Sequence, residues 1–269
     1  MTGSPDRDGY ALVTGGGARL GAALVRRLAA DGWAVAIHYN HSSTKADALA
    51  QEVVGAGGRA VTVAGDLGKL DSFADLFGRA NAGLGFCSLL VNNASAFEYD
   101  DISNVTRQNL EKLFAVNHHA PVLLAKDFAA QLRKGAKGLI VNVLDQKVFN
   151  LNPDFLSYTL TKSALEAATR LLAMAMAPDV RVCGIAPGLT LRSGDQTEVG
   201  FKAAHAKTPL GIGSKPEDIA EALSFLTKVP SITGTTILVD GGQHLQPRTH
   251  DIMFSYGIPP DAPVGKPGS

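Results

Sequence analysis

The sequence is poor in residues that staple, anchor or polarise a chain. It has two cysteines, Cys87 and Cys183, each beside an apolar strand-like run, which suits buried thiols in a reducing compartment better than a disulfide framework. Neither charge is in excess: 25 Lys plus Arg balance 25 Asp plus Glu, so no global field draws the chain to nucleic acid or an acidic membrane. No apolar run is long enough to span a bilayer, and residues 1–9 (MTGSPDRDG) lack the apolar core of a signal peptide. A cytoplasmic protein with no membrane or nucleic-acid partner is expected. No spacing of ligand residues implies a metal site.

What is present points to one large α/β domain. The 269 residues are 45% hydrophobic and 19% charged, ordinary for a globular protein with a sizeable core. Twenty-nine glycines imply many tight turns. Strand-like runs at Tyr10–Val13, Trp33–Tyr39, Arg59–Ala64, Ser88–Val91, Gly138–Leu144, Val180–Ile185 and Thr235–Val239 alternate with helical patterns. Seven such strands predict a Rossmann-type, doubly wound parallel sheet flanked by helices. Helices are expected over Ala22–Ala30, from the turn after Tyr39 to Val54, Asp71–Asn81, Thr106–Leu132, around Tyr158 to Ala177, and Pro216–Lys228 with Ser214 as N-cap. The polar stretch Leu189–Ser214 exceeds ordinary loop length and reads as a lid or substrate loop. The expected organisation is a flexible N-terminus at 1–9, a single dinucleotide-binding domain over 10–242, and a tail over 243–269 holding five of the thirteen prolines.

The first strand runs into Thr14-Gly15-Gly16-Gly17-Ala18-Arg19-Leu20-Gly21 and then a helix. Strand, glycine turn and helix in that order bring bare backbone and unpaired helix N–H groups to a phosphate. An NAD site places an acidic residue after the second strand to hold the ribose hydroxyls. Here Tyr39 is followed by Asn40, His41 and Ser42, hydrogen-bonding groups compatible with a ribose phosphate, with Arg19 as cationic partner. NADPH is therefore the expected cofactor. Helix capping by Ser42–Thr44 is the plainer use of those hydroxyls.

Tyr158 and Lys162 lie four apart on a helical pattern, hence on one side and one turn apart. A phenol titrates near pH 10, and a nearby ammonium favours its ionised form, making it a better acid–base group. Asp145 closes the apolar run Gly138–Leu144, at a strand's carboxyl end, where open α/β sheets hold ligands. An isolated Tyr-x-x-x-Lys is commonplace. Joined to the glycine turn, Asp66-Leu67, Asn92-Asn93-Ala94, Asn117 and Pro187-Gly188, each in order and at a strand end or in a helix, it resembles the short-chain dehydrogenase/reductase family over residues 10–242.

That resemblance implies hydride transfer between a nicotinamide cofactor and a substrate. Tyr158 would be the proton donor. Lys162 would lower its pKa and hold the nicotinamide ribose, and Asn117 would help carry a proton-relay water. The cofactor-binding set implied is Gly15, Arg19, Leu20, Tyr39, Asn40, His41, Ser42, Asp66, Leu67, Asn93, Ala94, Ser95, Tyr158, Lys162, Pro187, Gly188 and Thr190. Two departures from the common pattern are informative. Arg19 stands where a later glycine of the turn is usual, and Asp145 stands where a serine is usual, thirteen residues before Tyr158. Both resemble the pteridine reductase branch, which includes bacterial dihydromonapterin reductases. The branch implies a substrate set of Arg19, Ser95, Phe97, Asp145 and Tyr158, with the Phe97 ring stacking on a pterin. His41 departs from it, since an arginine is frequent there. An ionised Asp145 only accepts hydrogen bonds, which suits a substrate rich in ring N–H and amino groups better than a carbonyl. Core packing is the plain alternative for Phe97, and loop capping for Asp145.

The expectation is an NADPH-dependent reductase of dihydropterins, dihydromonapterin or dihydrofolate, working as a homo-oligomer, a tetramer or dimer. Two rivals stand beside it: a ketone or acyl-thioester carbonyl reductase, and a non-catalytic NADP-binding regulatory protein.

Overall fold

The structure, a computed structural model, describes residues 5–73, 75–192 and 197–255. Among them seven strands form one all-parallel sheet in the order β3-β2-β1-β4-β5-β6-β7. They are β1 (Tyr10–Val13), β2 (Val35–Tyr39), β3 (Ala60–Ala64), β4 (Cys87–Asn92), β5 (Gly138–Val143), β6 (Val180–Pro187) and β7 (Thr236–Val239). The helices are α1 (Arg19–Ala30), α2 (Ser43–Gly55), α3 (Leu76–Leu84), α4 (Arg107–Phe114), α5 (Ala120–Gln131), α6 (Leu156–Met176), α7 (Glu198–Ala206) and α8 (Pro216–Lys228). The order reverses between β1 and β4, so a crevice opens at the carboxyl ends of those two strands.

Both faces of the sheet are covered. Alternate residues of each strand go to opposite sides: Val13, Val91, Val141 and Ile185 join Leu24 and Leu28 of α1 and Ile219 and Leu223 of α8. Leu12, Leu90, Ile140 and Val182 join Leu76 and Phe77 of α3 and Leu124 and Phe128 of α5. Strands buried on both faces explain why they read as nearly continuous apolar runs. Cys87 and Cys183 are free and buried.

The structure revises several expected boundaries. The helix expected over Asp71–Asn81 is a 3-10 turn, Leu70–Phe73, followed by α3. The helix expected over Thr106–Leu132 is α4 and α5 joined by a π-helical turn, Ala115–His119. A period of 3.6 cannot reveal the extra residue of a π turn, which is commonly placed at functional sites. Ser214 is not the cap of α8. Pro216 occupies the first turn and the residue before it is extended, so Lys215 takes the N-cap position and its N–H donates to Asp218 Oδ2 at 2.9 Å. Leu189–Ser214 is not all loop, because it contains α7; residues 193–196 lie outside the described residues. Residues 5–9 are tied to the sheet: Asp6 N donates to Lys137 O at 2.9 Å, and Ser88 Oγ donates to Asp6 O at 2.6 Å. In the tail, residues 243–255 pack on the domain, and residues 256–269, like 1–4, lie outside the described residues. Among the described residues no helix is long and apolar enough to cross a membrane.

Candidate active site

The glycine turn is shaped by what its residues lack. Gly15 has φ +60°, and a Cβ there would meet Ala94 Cα at 3.1 Å. A Cβ on Gly21 would overlap the carbonyl oxygen of Gly15, and one on Gly17 would meet Ala46 at 3.0 Å. Side chains from neighbouring strands then hold the turn. His38 is buried at the end of β2; its Nδ1 accepts from Gly15 N at 3.1 Å, which puts the ring proton on Nε2, facing Gly65 O at 3.1 Å. Burial lowers its pKa to about 4, so the ring stays neutral. Asn93 Nδ2 donates to Thr14 O (2.9 Å) and Gly15 O (3.2 Å), while Thr14 Oγ accepts from the N–H groups of Asn93 and Ala94.

Arg19 opens α1 with φ +52°, a left-handed conformation that is rare outside glycine. This explains why glycine is the common residue at this point of the turn. The exposed guanidinium donates to Arg192 O at 2.9 Å, joining the turn to the loop after β6. Leu20 is half-buried behind it. Across the crevice Gly188 N donates to Val239 O, a Cβ on Gly188 would crowd Asp240 at 2.7 Å, and Thr190 Oγ donates to Gly188 O at 2.8 Å. Pro187 ends β6 fully buried. Ser214 Oγ lies 2.7 Å from Thr190 Oγ, so this serine braces the loop rather than a helix.

At the end of β2 Tyr39 is half-buried, and Asn40, His41 and Ser42 are exposed. Ser42 occupies the N-cap position of α2, yet its hydroxyl makes no capping bond. The plainer use of that hydroxyl is thereby absent, and it remains free for a ligand. Asp66 Oδ1 accepts from Gly68 N at 3.0 Å and Asn40 Nδ2 at 3.4 Å, and Leu67 is buried beneath. A bare-backbone cradle, an uncommitted hydroxyl and the absence of a carboxylate directly after β2 fit a dinucleotide bearing a ribose phosphate.

The acid–base end is assembled from β5, α6 and the π turn. Tyr158 is 6% exposed, and its hydroxyl donates to Asp145 Oδ2 at 2.9 Å. Asp145 Oδ1 accepts from Lys147 N at 2.8 Å, so the carboxylate also caps the 3-10 turn Gln146–Phe149. Burial pushes the Asp145 carboxyl up, against its hydrogen bonds from Lys147 N and Tyr158. Burial and the adjacent carboxylate hold the Tyr158 phenol well above its ordinary value. Lys162 is buried one turn along α6. Its ammonium donates to Val143 O at 2.8 Å and stands 5.7 Å from the Tyr158 ring centre, while burial lowers its pKa to about 8. In this state Tyr158 is a protonated donor to Asp145.

Asn117 lies in the π turn. Its Nδ2 donates to Ala96 O (2.9 Å) and Thr161 Oγ (3.1 Å), and its Oδ1 accepts from Ala96 N (2.8 Å) and Ser95 Oγ (3.2 Å). All four hydrogen-bonding positions are taken. The side chain is a brace between the loop after β4 and α6. Phe97 is half-buried, stacked on Phe155 at 4.5 Å and edge-on to Tyr158 at 4.7 Å. One face of the ring is spent on packing.

Several residues here escaped sequence reasoning. Phe155 precedes α6 with φ +54°. Asp100 caps that helix from far off: its Oδ1 accepts from Ser157 N at 2.8 Å, its Oδ2 from Ser157 Oγ, and its carbonyl from Leu156 N at 3.0 Å. His38 could be placed with Tyr39 at the close of the second strand, in keeping with the resemblance, but its hold on Gly15 could not. Phe155 and Asp100 carried none, since caps are sought next to a helix in sequence. Among the described residues no group of three or more His, Cys, Asp or Glu side chains is arranged to hold a metal.

The geometry has counterparts in known proteins. The short chain dehydrogenase family model matches residues 9–199. Pteridine reductase 1 of Leishmania tarentolae is 33% identical, over 91% of this chain and 99% of that one. An uncharacterised oxidoreductase of Methylorubrum extorquens is 34% identical, over 86% of this chain and 96% of that one. The crystal structure of FolM alternative dihydrofolate reductase 1 from Brucella canis, complexed with NADP, superposes with a TM-score of 0.87 at 41% identity, covering 91% of this chain and 98% of that one. Its counterpart from Brucella suis, also with NADP, gives 0.85 at 40%, covering 92% and 100%. The chain belongs to the short-chain dehydrogenase/reductase family of oxidoreductases.

Proposed function

We propose that this protein is an NADPH-dependent reductase of pterins, of the dihydropterin, dihydromonapterin or dihydrofolate class. The observation that carries the reading is the Tyr158 hydroxyl donating to Asp145 Oδ2 at 2.9 Å. A carboxylate there accepts hydrogen bonds from the ring N–H and amino groups of a pterin, where a serine would donate one to a carbonyl oxygen. The NADP-bound FolM structures and the Leishmania pteridine reductase support both substrate class and cofactor.

When bound, NADPH supplies the hydride. Gly15, Arg19, Leu20, Asn93, Ala94, Pro187, Gly188 and Thr190 would line its crevice, and Tyr39, Asn40, His41, Ser42, Asp66 and Leu67 would hold its adenosine end. Lys162, its pKa lowered by burial to about 8, would hold the ribose next to Tyr158. Tyr158 would give its proton to the ring nitrogen of the reduced C=N bond and recover one through Asp145, whose carboxyl is held above its ordinary value by burial. Arg19, Ser95 and the free face of Phe97 position the pterin, and Asn117 keeps Ser95 and α6 in register. Self-association as a dimer or tetramer is part of the same reading, with Leu171 and Met174 of α6 exposed on the outer face.

The test is NADPH oxidation with dihydrobiopterin, dihydromonapterin and dihydrofolate, for wild type, Tyr158→Phe and Asp145→Ser. Pterin-dependent oxidation lost in both variants is expected. Silence with every pterin, with ketone reduction gained by Asp145→Ser, would overturn the substrate class and favour a carbonyl reductase. Tight NADPH binding with no change in Tyr158→Phe would favour a binding protein.

A further inference from the structure

The last described segment, residues 250–255, returns to the site. Asp251 Oδ2 accepts from Lys147 Nζ at 3.0 Å, and that lysine side chain is only 3% exposed. Lys147 Nζ also donates to Asn152 Oδ1 and lies 5.8 Å from the Phe155 ring centre. Asp251 Oδ1 accepts from Met253 N at 3.0 Å, and Asp251 N donates to Asp154 Oδ2 at 2.6 Å, so both oxygens and the N–H of this residue are used. Met253 is buried against Leu113, Phe155 and Tyr158. Phe254 lies parallel to Phe155 at 6.0 Å and edge-on to Tyr99 at 5.4 Å. Phe97, Phe155 and Phe254 therefore form one stack, its outer ring supplied by the segment after β7. Lys147 is two residues from Asp145 and supplies the N–H that fixes its carboxylate.

We infer that Lys147 and Asp251 are positioning residues of this site: their ion pair, buried at Lys147 and half-buried at Asp251, clamps residues 251–254 onto the aromatic stack beside Tyr158 and fixes the loop that carries Asp145. The inference rests on the reading of Asp145 and Tyr158 as the acid–base pair. The charged and titratable groups around Asp145 are Tyr158 and Lys162 from α6, Lys147 from its own loop, and Asp251 from the C-terminal segment, with Asp154 and His250 behind Asp251. A buried pair is broken at greater cost by removing one partner than both, because a lone charge stays buried. The two single losses act on Asp145 with opposite sign. Without the Lys147 ammonium, the Asp251 carboxylate faces Asp145 uncompensated and disfavours its ionisation. Without Asp251, the ammonium is released to favour it.

The experiment uses the full chain as wild type, Lys147→Met, Asp251→Asn and the double variant. Two readouts need no substrate: amide exchange of residues 248–255, and the Asp145 titration followed by carboxyl-carbon NMR. Exchange about tenfold faster in each single variant is expected, with the titration moving up by about half a unit in Lys147→Met, down by as much in Asp251→Asn, and close to wild type in the double. Unchanged exchange overturns the clamp; titrations that stay put or move the same way overturn the link to Asp145. Should a single variant fail to fold, the double, which buries no lone charge, is compared with the other single. Dihydrobiopterin reduction is measured in parallel. A wild type silent with pterins refutes the substrate class and leaves the exchange and titration results to decide the clamp.

Discussion

The two ends of the crevice are built by opposite means. At the glycine turn the ligand surface is backbone, and the demand on the sequence is for missing side chains at Gly15, Gly17 and Gly21. At the acid–base end the surface is side chains, drawn from β5, α6, the π turn and the C-terminal segment, which meet only in the fold. The first tolerates almost no added atoms and needs little electrostatic tuning. The second is buried and charged, so its behaviour is set by which groups face each other. Substitutions at the first should alter cofactor affinity, and at the second turnover.

Tyr158→Phe tests that division most severely. Loss of a positioned proton donor should lower pterin turnover by about 10²–10⁴-fold, while NADPH affinity, read from nicotinamide fluorescence, stays within a few-fold. Equal loss of both would erase the distinction between the ends. Gly21→Ala is the converse, since the added Cβ collides with Gly15 O. Overpacking of this kind costs about 1–3 kcal/mol, so NADPH should bind about five- to 150-fold more weakly in any protein that still melts cooperatively.

His38 belongs to the cradle but responds to pH. Its folded pKa is lowered from 6.5 to about 4, so between those values the unfolded chain binds the extra proton. Stability contributed by the neutral ring is complete above about pH 6.5 and is lost as the pH falls toward 4, by up to about 3 kcal/mol. Chemical denaturation at pH 7 and 5 should show this slope, and His38→Gln should flatten it. A slope unchanged by that substitution would assign the acid sensitivity elsewhere.

Smaller effects sharpen the contrast within the cradle. Ser42→Ala should weaken NADPH by about 1.5 kcal/mol through one hydrogen bond to a charged group, leave NADH binding unaltered and leave the melting temperature unchanged, since no capping bond is lost. A fall in melting temperature alone would return Ser42 to helix capping. Arg19→Gly relieves a left-handed residue and should raise stability by about 1 kcal/mol, yet raise the KM for pterin. Stabilisation without any kinetic change would remove Arg19 from the substrate set.

Legibility followed the range of the interactions. The strands, their parallel order and the glycine turn could be read because apolar runs, turn glycines and helix periodicity act over a few residues. Asp145, Tyr158 and Lys162 could be picked out by residue type and spacing. Their states could not. That Lys162 bonds Val143 O, that Asn117 is saturated and that Tyr158 faces a carboxylate depend on partners 13 to 44 residues away in the chain. The same holds for Asp100 capping α6 across 57 residues.

By itself, then, the amino-acid sequence determined the seven-stranded framework, the bare-backbone cradle and the types of side chain available to the chemistry, because local sterics and hydrophobic burial decide those. Only the tertiary structure decided which hydrogen bonds those side chains make, where their pKa values lie and that residues 251–254 back Tyr158. Burial and opposed charges act through space, and distances across the crevice exist only once the sheet has formed.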